Sequence, residues 1–189
     1  NKHAIVLQNR KQRLLNGSFK YRADTMHICD GDWSIDELPE ELKRRHVELT
    51  GPVNDAAMVI NALNSNKRDG KTIPIGYMMD LEDSMSPTYK NVLTGHHNII
   101  KAVRRELTAE KTRNGHTKHY SIMDGKLPTL HVRTRGLHMF ESNLTDSVGT
   151  PMSASLFDLG VHLFHNGKYL HENGMGPNIY FPKIEQYSD

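Results

Sequence analysis

Residues 73–83 read IPIGYMMDLED, an apolar run that ends in a cluster of acids. The run is short, rich in Ile, Tyr and Met, and closed by a polar turn, the pattern of a strand buried on both faces. Directly after it, Tyr89 to Leu107 carries Val92, Leu93, Ile99, Ile100 and Val103 at roughly helical spacing. The same strand-then-helix pair recurs on either side. Upstream, HVELTGPV (His46 to Val53) precedes AAMVINALN (Ala56 to Asn64). Downstream, TLHVRTRGLH (Thr129 to His138) precedes Ser153 to Glu172, a helix with a stripe of Leu156, Leu159, Gly160, Leu163 and Phe164. NIYFPKIE (Asn178 to Glu185) supplies a fourth strand. This rhythm predicts parallel strands joined by right-handed crossovers. The expected class is α/β, of the (β/α)8 TIM-barrel type. A whole barrel typically takes ~250 residues, so only about four of its βα units are expected here.

Two segments stand outside the rhythm. Residues 1–45 read as an N-terminal leader with a helix from Val6 to Leu15, and residues 46–189 as the first half of a barrel. Within the latter, 106–126 is polar and contains Asn114-Gly115, a strong hairpin signal, so an inserted β-hairpin is expected.

Composition narrows the function classes. The chain has 189 residues, 37% hydrophobic and 24% charged, as expected of a globular fold rather than a disordered chain. With 24 basic and 22 acidic residues it lacks the strongly basic footprint of a nucleic-acid binder. No apolar run approaches the ~20 residues that span a bilayer, and Lys2 to Leu15 is too polar for a signal peptide. The single cysteine, Cys29, allows no internal disulfide and predicts a reducing compartment, cytoplasmic or peroxisomal (glyoxysomal). There is no Walker loop, and the 12 histidines show no zinc-ligand spacing, so they read as surface or satisfied residues.

Two strand ends carry the chemistry. Asp80-Leu81-Glu82-Asp83 places three carboxylates at the C-terminal end of a barrel strand, where barrel active sites are built. Such oxygens suit a hard cation or a general base, and equally a solvated turn that caps the next helix. The next strand ends in Arg133-Thr134-Arg135-Gly136. Strict alternation points His131, Arg133 and Arg135 into the barrel and Leu130, Val132 and Thr134 outward. An inward arginine offers a planar fork to a carboxylate substrate, or pairs with Asp80, Glu82 or Asp83. Lys183 is a further candidate for the pocket, or an ordinary ion-paired lysine.

VELTGPV, MVINALNSN, MMDLEDSMSPTY, HVRTRGLH, SASLFDLGVHLFHN and GPNIYFPKIE follow one another in an order and spacing that resemble malate synthase, specifically the shorter A-type enzymes, from about Trp33 to Glu185. The resemblance implies a TIM-barrel acyltransferase of the glyoxylate cycle. Such an enzyme condenses acetyl-CoA with glyoxylate and hydrolyses the adduct to malate and CoA, using Mg2+. It implies Arg133 as the catalytic arginine, Asp80 and Glu82 as lining of the metal and substrate pocket, and Asp83, Arg135 and Lys183 as supporting groups. The family's direct metal ligands and catalytic base fall on later strands and a C-terminal domain. No metal ligand is therefore expected within these residues, and this stretch is expected to be a part of the enzyme that is inactive alone, with the remainder of the barrel as its partner. Two alternatives remain at this point, a citrate-lyase-like acyl-CoA lyase and a non-catalytic half-barrel that serves as an interaction piece.

Overall fold

The structure, a computed structural model, describes residues 2–18, 21, 23–68, 71–72 and 75–184, the side chains of 2, 3, 68, 71 and 72 excepted. Two compact units divide the chain, Asn1–Pro39 with Ile184–Asp189, and Glu40–Lys183. In the first, α1 (Lys2–Leu15) is followed by a 3-10 turn (Ala23–Thr25) and the short α2 (Met26–Cys29). Trp33 closes that turn by donating its indole N–H to the Ile28 carbonyl at 2.6 Å.

The second unit begins with α3 (Glu40–Lys43) and then alternates strand and helix. Its elements are β1 (Val47–Pro52), α4 (Ala56–Asn64), the two-residue strands β2 (Lys67–Arg68) and β3 (Lys71–Thr72), and β4 (Ile75–Asp80). They continue with α5 (Tyr89–Val103), β5 (Thr108–Arg113), β6 (His116–Ser121), β7 (Thr129–Arg133), β8 (Phe140–Thr145) and β9 (Pro151–Ser153). A helix in three parts follows: α6 (Ala154–His162), a π-helical turn (Leu163–Gly167) and α7 (Lys168–Glu172), before β10 (Ile179–Tyr180). The central sheet runs β1-β4-β7-β10, with every neighbouring pair parallel. This is the part-barrel predicted from the strand–helix rhythm. Ile73 and Pro74, at the start of the predicted second strand, and Glu185, at the end of the fourth, lie outside the described residues.

The helices start and stop for local reasons. Asp55 caps α4 by accepting from the Met58 N–H at 3.1 Å, and Thr88 caps α5 by accepting from Asn91. Helix α5 ends at Val103, short of the expected Leu107, because Arg105 turns left-handed (φ 62°) and Glu106 N–H bonds back to the Lys101 carbonyl at 2.8 Å. That is a Schellman stop made without glycine. Gly95 lets α5 approach the sheet, since a Cβ there would lie 2.5 Å from Val53 Cγ2. The outer face of the sheet (Tyr77, Met79, Leu130, Val132) buries against Val59, Ile60 and Leu63 of α4 and Val92 and Ile99 of α5.

The inner face is more polar. Arg45 meets His131 at 3.1 Å, and Tyr180 donates its hydroxyl to Glu48. Thr129 ties β7 to the Glu41 carbonyl, so the compact unit takes in residues 40–45, upstream of the first strand.

The Asn114-Gly115 hairpin forms as expected, with β5 and β6 antiparallel and positive φ at both turn residues (53° and 76°), the type I′ signature. A second hairpin, β8 with β9, was not predicted from the sequence.

The helix after β7 departs furthest from expectation. Its predicted apolar stripe faces outward, with Leu156 60% exposed and Phe164 85% exposed. The buried face is instead Ser155, Asp158, His162 and Asn166, continuing to Leu170. Apolar periodicity mislocates this face because its polar side chains are satisfied by partners from other elements.

Candidate active site

The strand register sets Asp80, the last residue of β4, directly beside Arg133, the last of β7. Both belong to the inner face at the C-terminal ends of parallel strands. Arg133 donates from Nε to Asp80 Oδ1 and from Nη2 to Asp80 Oδ2, each at 2.8 Å, a bidentate fork on a fully buried carboxylate. The same carboxylate accepts from the backbone N–H groups of Glu82 and Ser84, each at 2.9 Å. Burial pushes Asp80 up, but the Arg133 guanidinium and the Ser84 and Glu82 hydrogen bonds outweigh it and hold the carboxyl at about 2. Arg133 in turn is pushed up, chiefly by its hydrogen bond to Asp80. Its side chain keeps 21% exposure, and its Nη1 has no hydrogen-bond partner among the described residues.

Glu82 adds a second carboxylate. Its Oε1 accepts from Lys183 Nζ, and its Oε2 is buried without a hydrogen-bond partner, 3.7 Å from Arg133 Nε. Lys183 also reaches exposed Asp83 at 3.1 Å. The hydrogen bond to Glu82 raises Lys183 above its ordinary value. Lys183 arrives at this corner from a left-handed turn (φ 55°), since β10 stops at Tyr180 and the fourth strand does not reach it.

Five of the residues singled out from the sequence therefore meet at one corner: Asp80, Glu82, Asp83, Arg133 and Lys183. Arg135 does not. The strict alternation that pointed it into the barrel fails because β7 ends at Arg133, and Thr134 and Arg135 both turn toward α6. Arg135 is 1% exposed, and each of its three guanidinium nitrogens is hydrogen-bonded. It donates from Nε and Nη2 to Asp158 at 3.0 and 2.9 Å, and from Nη1 to Glu141 at 2.8 Å. His96 contacts Asp158 from α5 at 3.1 Å. Glu141 and Asp158 had no reading in the sequence, and His96 fell among the histidines read as surface or satisfied. The one signal for Asp158 was an ionisable residue, followed a turn later by His162, on a helix face that also had to meet the sheet.

The acidic corner has oxygens of the kind a hard cation takes, yet Asp80 is saturated by Arg133 and two backbone donors, and Asp83 points to solvent. Among the described residues no three His, Cys, Asp or Glu side chains are grouped to hold a metal ion. What this corner can do unaided is hold an anion or a polarised carbonyl against a rigid guanidinium edge.

Comparisons with known proteins bear on the family. A family model described as "Malate synthase, TIM barrel domain" matches residues 129–189. The malate synthase of Myxococcus xanthus is 42% identical over 166 residues, covering 87% of this chain and 28% of that protein. The glyoxysomal malate synthase of Candida tropicalis is 39% identical over 188 residues, 96% of this chain and 32% of its own length. Malate synthase A of Escherichia coli is 34% identical, with 100% of this chain and 33% of that protein covered. The chain thus spans about a third of the length of the curated relatives it matches. Over nearly all of that span, this chain belongs to the malate synthase family.

Proposed function

We propose that this chain contributes the arginine side of a malate synthase active site, an acyltransferase joining acetyl-CoA to glyoxylate and releasing malate and CoA. The observation that carries the reading is Arg133, held by two hydrogen bonds on buried Asp80 while its side chain keeps 21% exposure and Nη1 has no hydrogen-bond partner among the described residues. In a condensation of this kind, an enolate formed from the acetyl methyl attacks the glyoxylate aldehyde, and negative charge develops on the aldehyde oxygen. Arg133 is always charged, and its rotamer is fixed before substrate arrives. Its free N–H edge is therefore suited to hold that oxygen or the glyoxylate carboxylate. Asp80 serves to orient the guanidinium. Glu82, anchored through one oxygen by Lys183, keeps its second oxygen buried and free beside Arg133.

Malate synthases use a metal cofactor, and the finer assignment, Mg2+, belongs to this proposal. Following the resemblance, its direct ligands and the base that takes the methyl proton are assigned to parts of the enzyme outside this stretch. The proposed location follows the relatives, two of which are named glyoxysomal, with the cytoplasm as the other setting. No helix among the described residues is long and apolar enough to cross a membrane.

The test is release of CoA from acetyl-CoA by the complete protein carrying this stretch, with and without glyoxylate, beside an assay of malyl-CoA and citramalyl-CoA cleavage. Glyoxylate-dependent release is expected. Cleavage of the preformed thioesters without glyoxylate-dependent release would favour the acyl-CoA lyase instead, and no turnover in either assay the interaction piece.

A further inference from the structure

The end of β7 is held differently on its two sides. Up to Arg133 the sheet ladder fixes the backbone: the Arg133 carbonyl accepts from Leu81 N–H at 3.0 Å, and Thr134 N–H reaches the Tyr180 carbonyl at 3.3 Å. Beyond that the chain leaves the sheet, and the contacts that hold it come from α6. Thr134 Oγ1 meets Ser155 Oγ at 3.2 Å. The backbone N–H of Arg135 donates to Asp158 Oδ2 at 2.9 Å, and the same carboxylate takes two of the Arg135 guanidinium donors. Asp158 is wholly buried, and His96 braces it from α5. Glu141 pairs with Arg135 as closely, at 2.8 Å, but only through the side chain.

We propose that Asp158 is a positioning residue for Arg133. By gripping both the backbone and the guanidinium of Arg135, it fixes the turn that leaves β7 and so sets the angle at which Arg133 meets Asp80 and presents Nη1. The inference rests on the proposed role of Arg133. It names a carboxylate on a helix outside the pocket that acts through the backbone, touching neither substrate nor Arg133. Small displacements matter in such a site, since a misplacement of about 1 Å can cost on the order of 10²-fold in rate.

Two variants of the complete protein separate positioning from mere stability. Both Asp158→Asn and Glu141→Gln remove one charge from the same buried arginine. Asp158→Asn is expected to lower kcat at least about tenfold with the KM for acetyl-CoA unchanged, and to speed hydrogen exchange at the Arg133 Nε–H, followed by NMR in protein carrying 15N-arginine. Glu141→Gln is expected to lower the melting temperature while leaving kcat and the Arg133 signal within about twofold of the parent. Equal losses of kcat in the two variants, or an unaltered Arg133 signal in Asp158→Asn, would overturn the proposal. If Asp158→Asn does not fold, Thr134→Val combined with Ser155→Ala removes both partners of the neighbouring buried hydrogen bond and loosens the same turn. Faster Arg133 exchange is then expected, and unchanged exchange overturns the proposal. Should the parent protein release no CoA, the proposed function fails, and the Arg133 signal still decides the positioning role.

Discussion

Arg133 and Arg135 are separated by one residue, yet they meet opposite fates. Arg133 spends two donors on one carboxylate and keeps an edge open. Arg135 has its whole guanidinium and its backbone N–H committed to Asp158 and Glu141, with no path to solvent. The chemistry of the residue type is identical, so the difference comes from where the strand stops. A guanidinium on the last ladder position points into the barrel, and one two residues later is captured by the outer helix. The arginine with the unpaired nitrogen is the one proposed for the site, and the enclosed one holds the scaffold.

Removing the saturated arginine should give the largest effect. Arg135→Leu leaves Asp158 and Glu141 buried and uncompensated, and is expected to cost about 3–5 kcal/mol of stability in denaturant unfolding. Replacing all three by apolar residues should restore much of that stability without restoring turnover, if the cluster also positions Arg133.

Acid should then separate the two regions. His162, buried beside His96, is held down to about 4, first by burial and then by the neighbouring imidazole. The folded chain keeps it neutral while the unfolded chain protonates it at its ordinary 6.5. Stability is therefore full above pH 6.5 and falls by about 3 kcal/mol as pH drops toward 4. His162→Gln should flatten that slope in pH-resolved melting curves. Asp80 has the depressed carboxylate, so its contribution is intact above its ordinary 3.8 and disappears only as pH falls toward about 2. The outer cluster should fail first.

Next comes Arg133→Lys, which keeps the charge but loses the planar fork. It should cut turnover of the complete enzyme at least ~10²-fold while moving the melting temperature little. Near-normal turnover would reassign the catalytic arginine. Smallest is Lys183→Ala. Its side chain is half exposed, and loss of the Glu82 and Asp83 contacts should shift stability by about 1 kcal/mol or less in the same denaturant assay.

Much of this was legible beforehand, and the exceptions have a common cause. Asn114-Gly115 announced its hairpin because both residues tolerate positive φ, and Ile75 to Asp80 announced a central strand because every residue in it is buried. The acidic turn and Arg133 were visible as strand ends. Asp158, His162 and Asn166 were hidden because hydrophobic periodicity assumes that apolar atoms seek the interior. Here the interior face is polar, made acceptable by Arg135, Glu141, His96 and Arg104, residues that approach only after folding. The β8–β9 hairpin was missed because β8 is mostly polar, β9 has only three residues and the register slips between Glu141 and Thr145.

The Asp80 carboxylate has one more implication. It is bonded at once to Arg133 across the strands and to the amides of Glu82 and Ser84 along its own chain. The cationic and acidic rims of the pocket are thereby welded through a single group. An incoming oxyanion would meet a rim that is already ordered, so docking should draw little configurational entropy from the protein and displace its backbone hardly at all.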